Sequence, residues 1–232
     1  MQDIVYTRLL EALLNNRENS RAQLLQDVFA LYFSGFKQKG FFVEFGATNG
    51  LSLSNTYALE KHFDWDGILA EPLPTWHADL RKNRECAIDT RCVYSQSNLK
   101  MQFVDAFEAP ELSGLQNSLQ ADHNQSARVN NRTFEVNTVS LMDLLDQYAA
   151  PASIDYLSID TEGSELEILN AFDFTRYQVS VLTVEHNYVE PQRASIKALL
   201  EKAGFVRVCE GVSRWDDWYV HHLNPVLAGP AT

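Results

Sequence analysis

The stretch FFVEFGATNG, residues 41–50, decides the fold class of this 232-residue chain. A run of apolar residues leads into Glu44 and Phe45, and a short polar turn then lies between Gly46 and Gly50. A short buried strand, a glycine-bounded turn and a helical pattern are typical of the first strand–turn–helix unit of an open parallel sheet. Ligands bind such sheets at the carboxyl ends of the strands. The stretch therefore predicts a strand and, directly after it, a ligand-binding loop.

Strand and helix patterns alternate through the rest of the chain. The helical pattern at residues 140–149 precedes a strand pattern at 154–160, and a second strand pattern follows at 179–185. Such alternation predicts βαβ crossovers and a parallel sheet with helices on both faces. The runs 205–211 and 217–222 have no helix between them, which predicts a C-terminal antiparallel strand pair. The predicted fold class is therefore α/β, with a Rossmann-like, mostly parallel sheet.

The patterns also predict how the chain is organised. Residues 1–39 form an N-terminal helical extension, and residues 40–222 form the main domain. The long polar stretch 105–132 is predicted to be a loop that contacts the substrate, because loops of this length in compact domains are often functional. Residues 223–232 have no core pattern and are predicted to be a loose tail.

Charge and cysteine content limit the function classes. The chain has 31 acidic and 19 basic residues, a formal net charge of −12, which disfavours a nucleic-acid partner. Its three cysteines lack the spacing of a zinc site or a disulfide framework. No apolar run reaches the ~18 residues that span a bilayer, and no leader pattern is present. We expect a soluble cytoplasmic protein with no membrane span.

The first loop favours one kind of cofactor. The spacing Gly46-Ala-Thr-Asn-Gly50 does not match the G-x-G-x-x-G fingerprint of dinucleotide-binding proteins. A carboxylate at Glu44 would repel a pyrophosphate but would suit S-adenosylmethionine, which carries an ammonium and a sulfonium. Glu71, at the end of the next predicted strand, can accept hydrogen bonds from ribose hydroxyls. A nicotinamide-dependent oxidoreductase and a non-catalytic interaction module remain the alternatives.

Four stretches resemble, in order and spacing, the FkbM-type S-adenosylmethionine-dependent methyltransferases: FVEFGATNG, ILAEP, VNTVSLMDLL and YLSIDTEGSELEIL. The resemblance covers about residues 40–222, and its most specific part is the IDTEG motif at residues 159–163. It implies a seven-stranded class I methyltransferase sheet. It also implies methyl transfer, most often to a hydroxyl of a sugar, glycan or secondary metabolite.

The resemblance also implies cofactor-binding positions. The residues of this chain at those positions are Glu44, Gly46, Ala47, Asn49, Gly50, Ser54, Glu71, Pro72 and Asp160. The third predicted strand, 86–95, departs from the commonest family pattern, because it ends in Tyr94 and Ser95. These two residues are the predicted adenine contacts.

An alcohol acceptor needs a base or a metal ion to remove its proton. His186 is the predicted general base, with Asp160 and Glu185 as further catalytic candidates at the ends of neighbouring strands. Alternatively, Asp160, Glu185 and Asn187 hold Mg²⁺, whose preferred ligands are oxygens.

The remaining predictions concern the acceptor and assembly. Glu162, Asn117 and His123 are the predicted substrate contacts, and a small molecule or glycan is the predicted partner. The N-terminal helices either cover the cleft or form a homodimer contact.

Overall fold

The computed structural model describes residues 2–119 and 124–228. Within these ranges the strands are β1 (Phe41–Phe45), β2 (Asp66–Ala70), β3 (Ala87–Asp89), β4 (Cys92–Tyr94), β5 (Lys100–Ala106), β6 (Gly114–Leu115), β7 (Asn131–Ser140), β8 (Ser153–Ile159), β9 (Gln178–Glu185), β10 (Phe205–Val208) and β11 (Asp216–His221). The helices are α1 (Gln2–Asn16), α2 (Gln26–Phe33), α3 (Tyr57–Phe63), α4 (His77–Asn83), α5 (Leu141–Gln147), α6 (Glu165–Asn170), α7 (Glu190–Lys202) and α8 (Pro225–Ala228).

Seven strands form the main sheet in the order β10-β11-β9-β8-β1-β2-β3. All neighbouring strands are parallel except β11, which runs antiparallel to both β9 and β10. The seven strands and the C-terminal antiparallel pair are as predicted, and the sheet is mixed rather than purely parallel. The strand order reverses beside β1, so the turn after β1 lies at the switch point where ligands bind.

Both faces of the main sheet are covered by helices. Val43 and Leu157 pack on one face with residues of α5, α6 and α7. Phe42 and Tyr156 pack on the other face with residues of α1, α2 and α3. All eight residues of α2 are buried, so this helix is fixed to the sheet by the removal of its apolar surface from water.

A second sheet has the strand order β4-β7-β5-β6. Its core is built from Leu73, Cys92, Phe103, Leu115 and Val136. The prediction of one strand over residues 86–95 is wrong, because the chain turns between β3 and β4 and places them in different sheets. The described part of the stretch 105–132 is not a loop throughout, since it includes β6, the end of β5 and the start of β7.

The two predicted N-terminal helices are present as α1 and α2. Residues 224–228 do not form the loose tail that was predicted to begin at residue 223, because they contain a buried asparagine and α8. Asn224 is buried, and its amide donates hydrogen bonds to Phe33 O at 3.0 Å and Ser180 Oγ at 2.9 Å. Residues 229–232 lie outside the described residues. In the parts that the structure describes, no helix is long and apolar enough to cross a bilayer.

Candidate functional site

A cavity opens at the carboxyl ends of β1, β2, β8 and β9. About 940 Å³ of space free of protein atoms, including open solvent at its mouth, lies between the residues that line it.

Polar side chains lead towards the cavity on the sheet face that α2 covers. Glu44, Ser158 and Thr183 are paired in register on β1, β8 and β9. Asp160 directly follows β8 and Glu185 ends β9, and both line the cavity. Because residues two apart on a strand share a face, these two carboxyls lie on the same face as the first three side chains.

Glu44 is buried, and its carboxylate already has partners within the protein. Oε1 accepts the N–H of Asn55 at 2.7 Å, while Oε2 accepts the hydroxyls of Ser54 and Thr56 at 3.1 and 2.5 Å. Arg84 lies 3.7 Å from Oε2. Burial raises the pKa of Glu44 although the Arg84 charge opposes the shift. Glu44 lines the cavity as predicted, but it anchors the segment before α3 and is not a free carboxylate.

Gly46 is required by close packing between two turns. Its φ is +74°, and a Cβ at this position would lie 2.2 Å from the backbone oxygen of Asp160. The turn after β1 therefore touches the turn after β8 directly. Gly46 thus lets two parts of the site approach each other closely.

Glu71 ties the glycine turn to the end of β2. Its Oε2 accepts the N–H of Thr48 at 2.8 Å, and its Oε1 accepts the N–H of Leu73 at 2.8 Å. Burial raises the pKa of Glu71 to about 7. Each carboxylate oxygen can accept more than one hydrogen bond, so Glu71 can still bind ligand hydroxyls.

Asp160, Glu162 and Glu185 form a carboxyl cluster whose ligand atoms all lie within 4.8 Å of one another. Glu162 is ion-paired with Arg128. The amide of Asn187 donates to Glu162 at 3.2 Å and to Glu185 at 2.7 Å. Burial raises the pKa of both Asp160 and Glu185, and the proximity of other carboxylates raises it further. Asp160, whose pKa is raised to about 7, is therefore able to hold and exchange a proton near neutral pH, and Glu185 binds a proton more readily than an exposed glutamate does.

Asp216 continues this acidic group on β11, where it is paired in register with Glu185. Gln26, at the start of α2, donates a 2.8 Å hydrogen bond from Nε2 to Oδ2 of Asp216. Both Gln26 and Gln23 line the cavity. The N-terminal extension therefore contributes to the wall of the cavity.

These buried acids predict how stability depends on pH. Burial raises the pKa of Glu71 and of Asp216 to about 7 in the folded protein, whereas both groups titrate near pH ~4 in an unfolded chain. Between about pH 5 and 7 the folded state binds more protons, so the free energy of unfolding should fall as pH rises and level off above pH ~7. Urea denaturation of the ligand-free protein at pH 5, 6, 7 and 8 measures this trend. Glu71→Gln should make the dependence shallower, and a rise in stability from pH 5 to 7 would contradict the assignment.

His186 does not face the cavity. Its side chain is buried, Nδ1 accepts the N–H of Tyr188 at 3.0 Å, and Nε2 lies 3.7 Å from Oδ1 of Asp217. Burial lowers the pKa of His186. The predicted role of His186 as general base is not supported by this position, because the strand end turns the ring towards β11 rather than towards the cleft.

Some of the predicted cofactor-binding residues line the cavity and others do not. The members that line the cavity are Glu44, Gly46, Glu71, Pro72 and Asp160. Other members lie behind it or beside it: Ala47, Asn49, Gly50 and Ser54 belong to the turn and the segment before α3, and Tyr94 and Ser95 lie at the end of β4.

Likewise, only some of the residues predicted to contact the acceptor or a metal ion lie at the cavity. Glu162 lines the cavity, whereas Asn117 is exposed in the turn after β6. His123 lies outside the described residues. Asn187 directs its amide N–H groups at the carboxylates, so the clustered oxygen ligands are those of Asp160, Glu162 and Glu185.

Sequence reasoning missed the apolar wall of the cavity. This wall includes Trp76, Val93, Phe103 and Leu112. Val93 of β4 pairs in register with Val139, and Phe103 of β5 pairs with Phe134, 46 and 31 positions further along the chain. The local sequence pattern carries no signal for these long-range pairings.

Comparisons with known proteins agree with the geometry. The model of the methyltransferase FkbM domain matches residues 44–207. The solved structure of methyltransferase FkbM from Methylobacillus flagellatus KT is similar, with 12% identity and a TM-score of 0.51 over 90% of this chain and 60% of that chain. Precorrin-6y C5,15-methyltransferase from Geobacter metallireducens GS-15 has 11% identity and a TM-score of 0.44, covering 88% of this chain and 93% of that chain. No curated protein sequence matches significantly.

The FkbM domain match covers well over half of the chain, including the turns after β1, β2, β8 and β9 that build the cavity. The likeness to the Methylobacillus flagellatus structure shows a shared methyltransferase fold. The chain therefore belongs to the FkbM methyltransferase family.

Proposed function

We propose that this methyltransferase transfers a methyl group from S-adenosylmethionine to a hydroxyl of a sugar, glycan or other secondary metabolite. The observation that carries the proposal is the position of Asp160 and Glu185, two neighbouring carboxyls that line the cavity at the ends of β8 and β9. Among the described residues neither carboxyl has a cationic partner within 4.0 Å.

Membership of a methyltransferase family implies S-adenosylmethionine as the donor, and the cavity residues fit it. Glu71 offers acceptors to ribose hydroxyls, while the apolar wall with Trp76 and Phe103 suits the faces of an adenine ring. Asn55 also lines the cavity, and its buried Oδ1 has no hydrogen-bond partner in the described part of the chain. An acceptor-rich cavity of this kind favours a cationic ligand. When bound, the donor supplies an electrophilic methyl group on a sulfonium.

The protein has two tasks in this reaction. The turns after β1 and β8 must hold the acceptor oxygen in line with the methyl group, because orientation supplies much of the rate enhancement. The Asp160–Glu185 pair must accept the hydroxyl proton, and its raised pKa brings it closer to the pH at which a general base is effective.

A metal-assisted route is the second candidate. The clustered oxygens of Asp160, Glu162 and Glu185 are ligands that suit Mg²⁺, which would lower the pKa of an acceptor hydroxyl. Arg128 opposes this route because its guanidinium already neutralises Glu162. Activity that disappears with EDTA and returns with Mg²⁺ would favour the metal route over the carboxylate base.

The charge of the cavity limits the acceptor. Its described lining residues include six acids and no lysine, arginine or histidine: the acids are Glu44, Glu71, Glu111, Asp160, Glu162 and Glu185. Phosphate or carboxylate groups on an acceptor would be repelled in such a cavity. The acceptor is therefore an uncharged or cationic hydroxyl compound.

Calorimetric titration with S-adenosylhomocysteine and with NAD tests the donor class. We expect the first to bind and the second not to bind. Methyl transfer from isotope-labelled S-adenosylmethionine to a panel of glycosides then tests the acceptor class. Binding of NAD alone would indicate an oxidoreductase, and binding of neither would indicate a non-catalytic module.

Glu71→Ala should weaken binding of S-adenosylhomocysteine by about 10-fold or more, because hydrogen bonds to a charged group contribute about 1.5–3 kcal/mol. Calorimetry at pH 8, above the raised pKa of Glu71, measures the loss. Glu135→Ala on the exposed surface of β7 is the matched control and should bind like the wild type. Equal affinities of the Glu71 variant and the wild type would remove Glu71 from the donor site.

A further inference from the structure

We propose that the segment of residues 20–27 forms the acceptor end of the cavity, and that Gln23 determines specificity for polyhydroxy compounds without an anionic group. This inference rests on the proposed function of the same cavity. The segment precedes residues 44–207, which match the family domain. The segment therefore lies outside the matched region while lining the same cavity.

The position of the segment supports this role. Gln23 and Gln26 line the same cavity as Asp160, Glu162 and Glu185. Gln26 reaches the acidic strand ends directly through its hydrogen bond to Asp216, the register partner of Glu185. The segment thus contacts Asp216 and shares a cavity wall with the two carboxyls that we assign to proton transfer.

The segment is held in place by its own hydrogen bonds. Asp27, which is buried, accepts the Ser20 hydroxyl at 2.6 Å and the N–H of Val28 at 2.8 Å. Ser20 Oγ in turn accepts the N–H of Ala22 at 3.2 Å. Leu25 adopts a left-handed conformation with φ 65° immediately before α2. Because α2 is wholly buried, the segment has a fixed position relative to the cavity.

The two glutamines have different roles. Both the oxygen and the nitrogen of the Gln26 side-chain amide form hydrogen bonds within the protein. Oε1 accepts the N–H of Leu24 at 2.8 Å, and Nε2 donates to Asp216. Gln26 is therefore a positioning residue. The Gln23 side chain is exposed, and no hydrogen bond to another described residue ties its amide. A primary amide both donates and accepts, which suits a hydroxyl group.

The test uses the full chain saturated with S-adenosylhomocysteine, and methyl α-glucopyranoside and glucose 6-phosphate as probes. Saturation-transfer NMR measures the binding of each probe. We expect the wild type to bind the neutral glycoside about 10-fold more tightly than the phosphate, and Gln23→Ala to weaken glycoside binding about 2- to 10-fold, the range for one hydrogen bond. Affinity for S-adenosylhomocysteine should be unchanged, which also shows that the variant is folded.

Gln38→Ala is the matched control, because Gln38 is exposed before β1, at the opposite edge of the sheet. The inference is overturned if Gln23→Ala binds the glycoside as the control does, if the wild type binds no glycoside, or if it prefers the phosphate. Failure of the proposed function has a different signature, since wild-type protein would then bind no S-adenosylhomocysteine or would transfer no methyl group to a glycoside that it binds.

Discussion

Replacing Asp160 by asparagine is expected to lower the rate of methyl transfer by about 10²- to 10⁴-fold, the usual contribution of a general base. Asparagine has nearly the same shape but cannot accept the acceptor's proton. The affinity for S-adenosylhomocysteine should change much less than the rate, because Asp160 acts on the hydroxyl. Single-turnover transfer from labelled donor separates the two effects.

Asp79→Asn is the matched control, because Asp79 is exposed on α4. In the wild type, the rate should also fall as pH is lowered through the raised pKa of the Asp160–Glu185 pair, since only the ionised form accepts a proton. A rate for Asp160→Asn within about threefold of the control would remove Asp160 from proton transfer; a general base contributes far more than this.

Replacing Arg84 by leucine should destabilise the fold by about 3–5 kcal/mol, the range for removing one partner of a buried ion pair. Arg84 is 3% exposed, its Nε lies 2.6 Å from Glu60, and its guanidinium also donates to Ser54 at 3.1 Å and Thr56 at 2.9 Å. Without it, the charge of Glu44 would remain buried and uncompensated. Urea denaturation measures the change in the free energy of unfolding.

Arg81→Leu, in the helix that ends just before Arg84, is the control, because Arg81 is exposed and its only hydrogen bond to a described residue is a 3.5 Å contact with His77 O. The double variant Arg84→Leu, Glu44→Gln should recover part of the lost stability by removing the uncompensated charge. A loss below about 1 kcal/mol in Arg84→Leu, typical of an exposed ion pair, would contradict the assigned role.

The sequence was sufficient to predict the main sheet and the edge at which the cavity opens. The β1 turn shows its glycines within ten residues, and β8 and β9 appear as short strand patterns rich in Ile, Leu and Val that lead to Asp160 and Glu185. These signals are local, because the period of side-chain burial and the conformational demands of glycine act over a few residues. The predicted cavity residues Glu71 and Asp160 follow from the same strand ends.

The features of the site that the sequence did not predict depend on contacts between residues that are distant in sequence. Glu44 was predicted to face a cationic ligand. However, the guanidinium of Arg84, 40 residues further along the chain, lies 3.7 Å from Glu44 Oε2 and offsets part of its negative charge. His186 follows β9 as expected, yet its orientation is set by β11 and Asp217. Gln23 gave no signal, because its role depends on how α2 packs against the sheet. Charge balance and side-chain direction are properties of the assembled core.

Under the proposed function, the acids at the strand ends would also affect how the protein releases its spent cofactor. Asp160 and Glu185 lie next to each other in the cavity wall. Once the methyl group has left, the sulfur is a neutral thioether, and the electrostatic attraction that held the sulfonium is lost. The acidic strand ends would thus retain the fresh donor more strongly than the by-product and favour turnover over product inhibition.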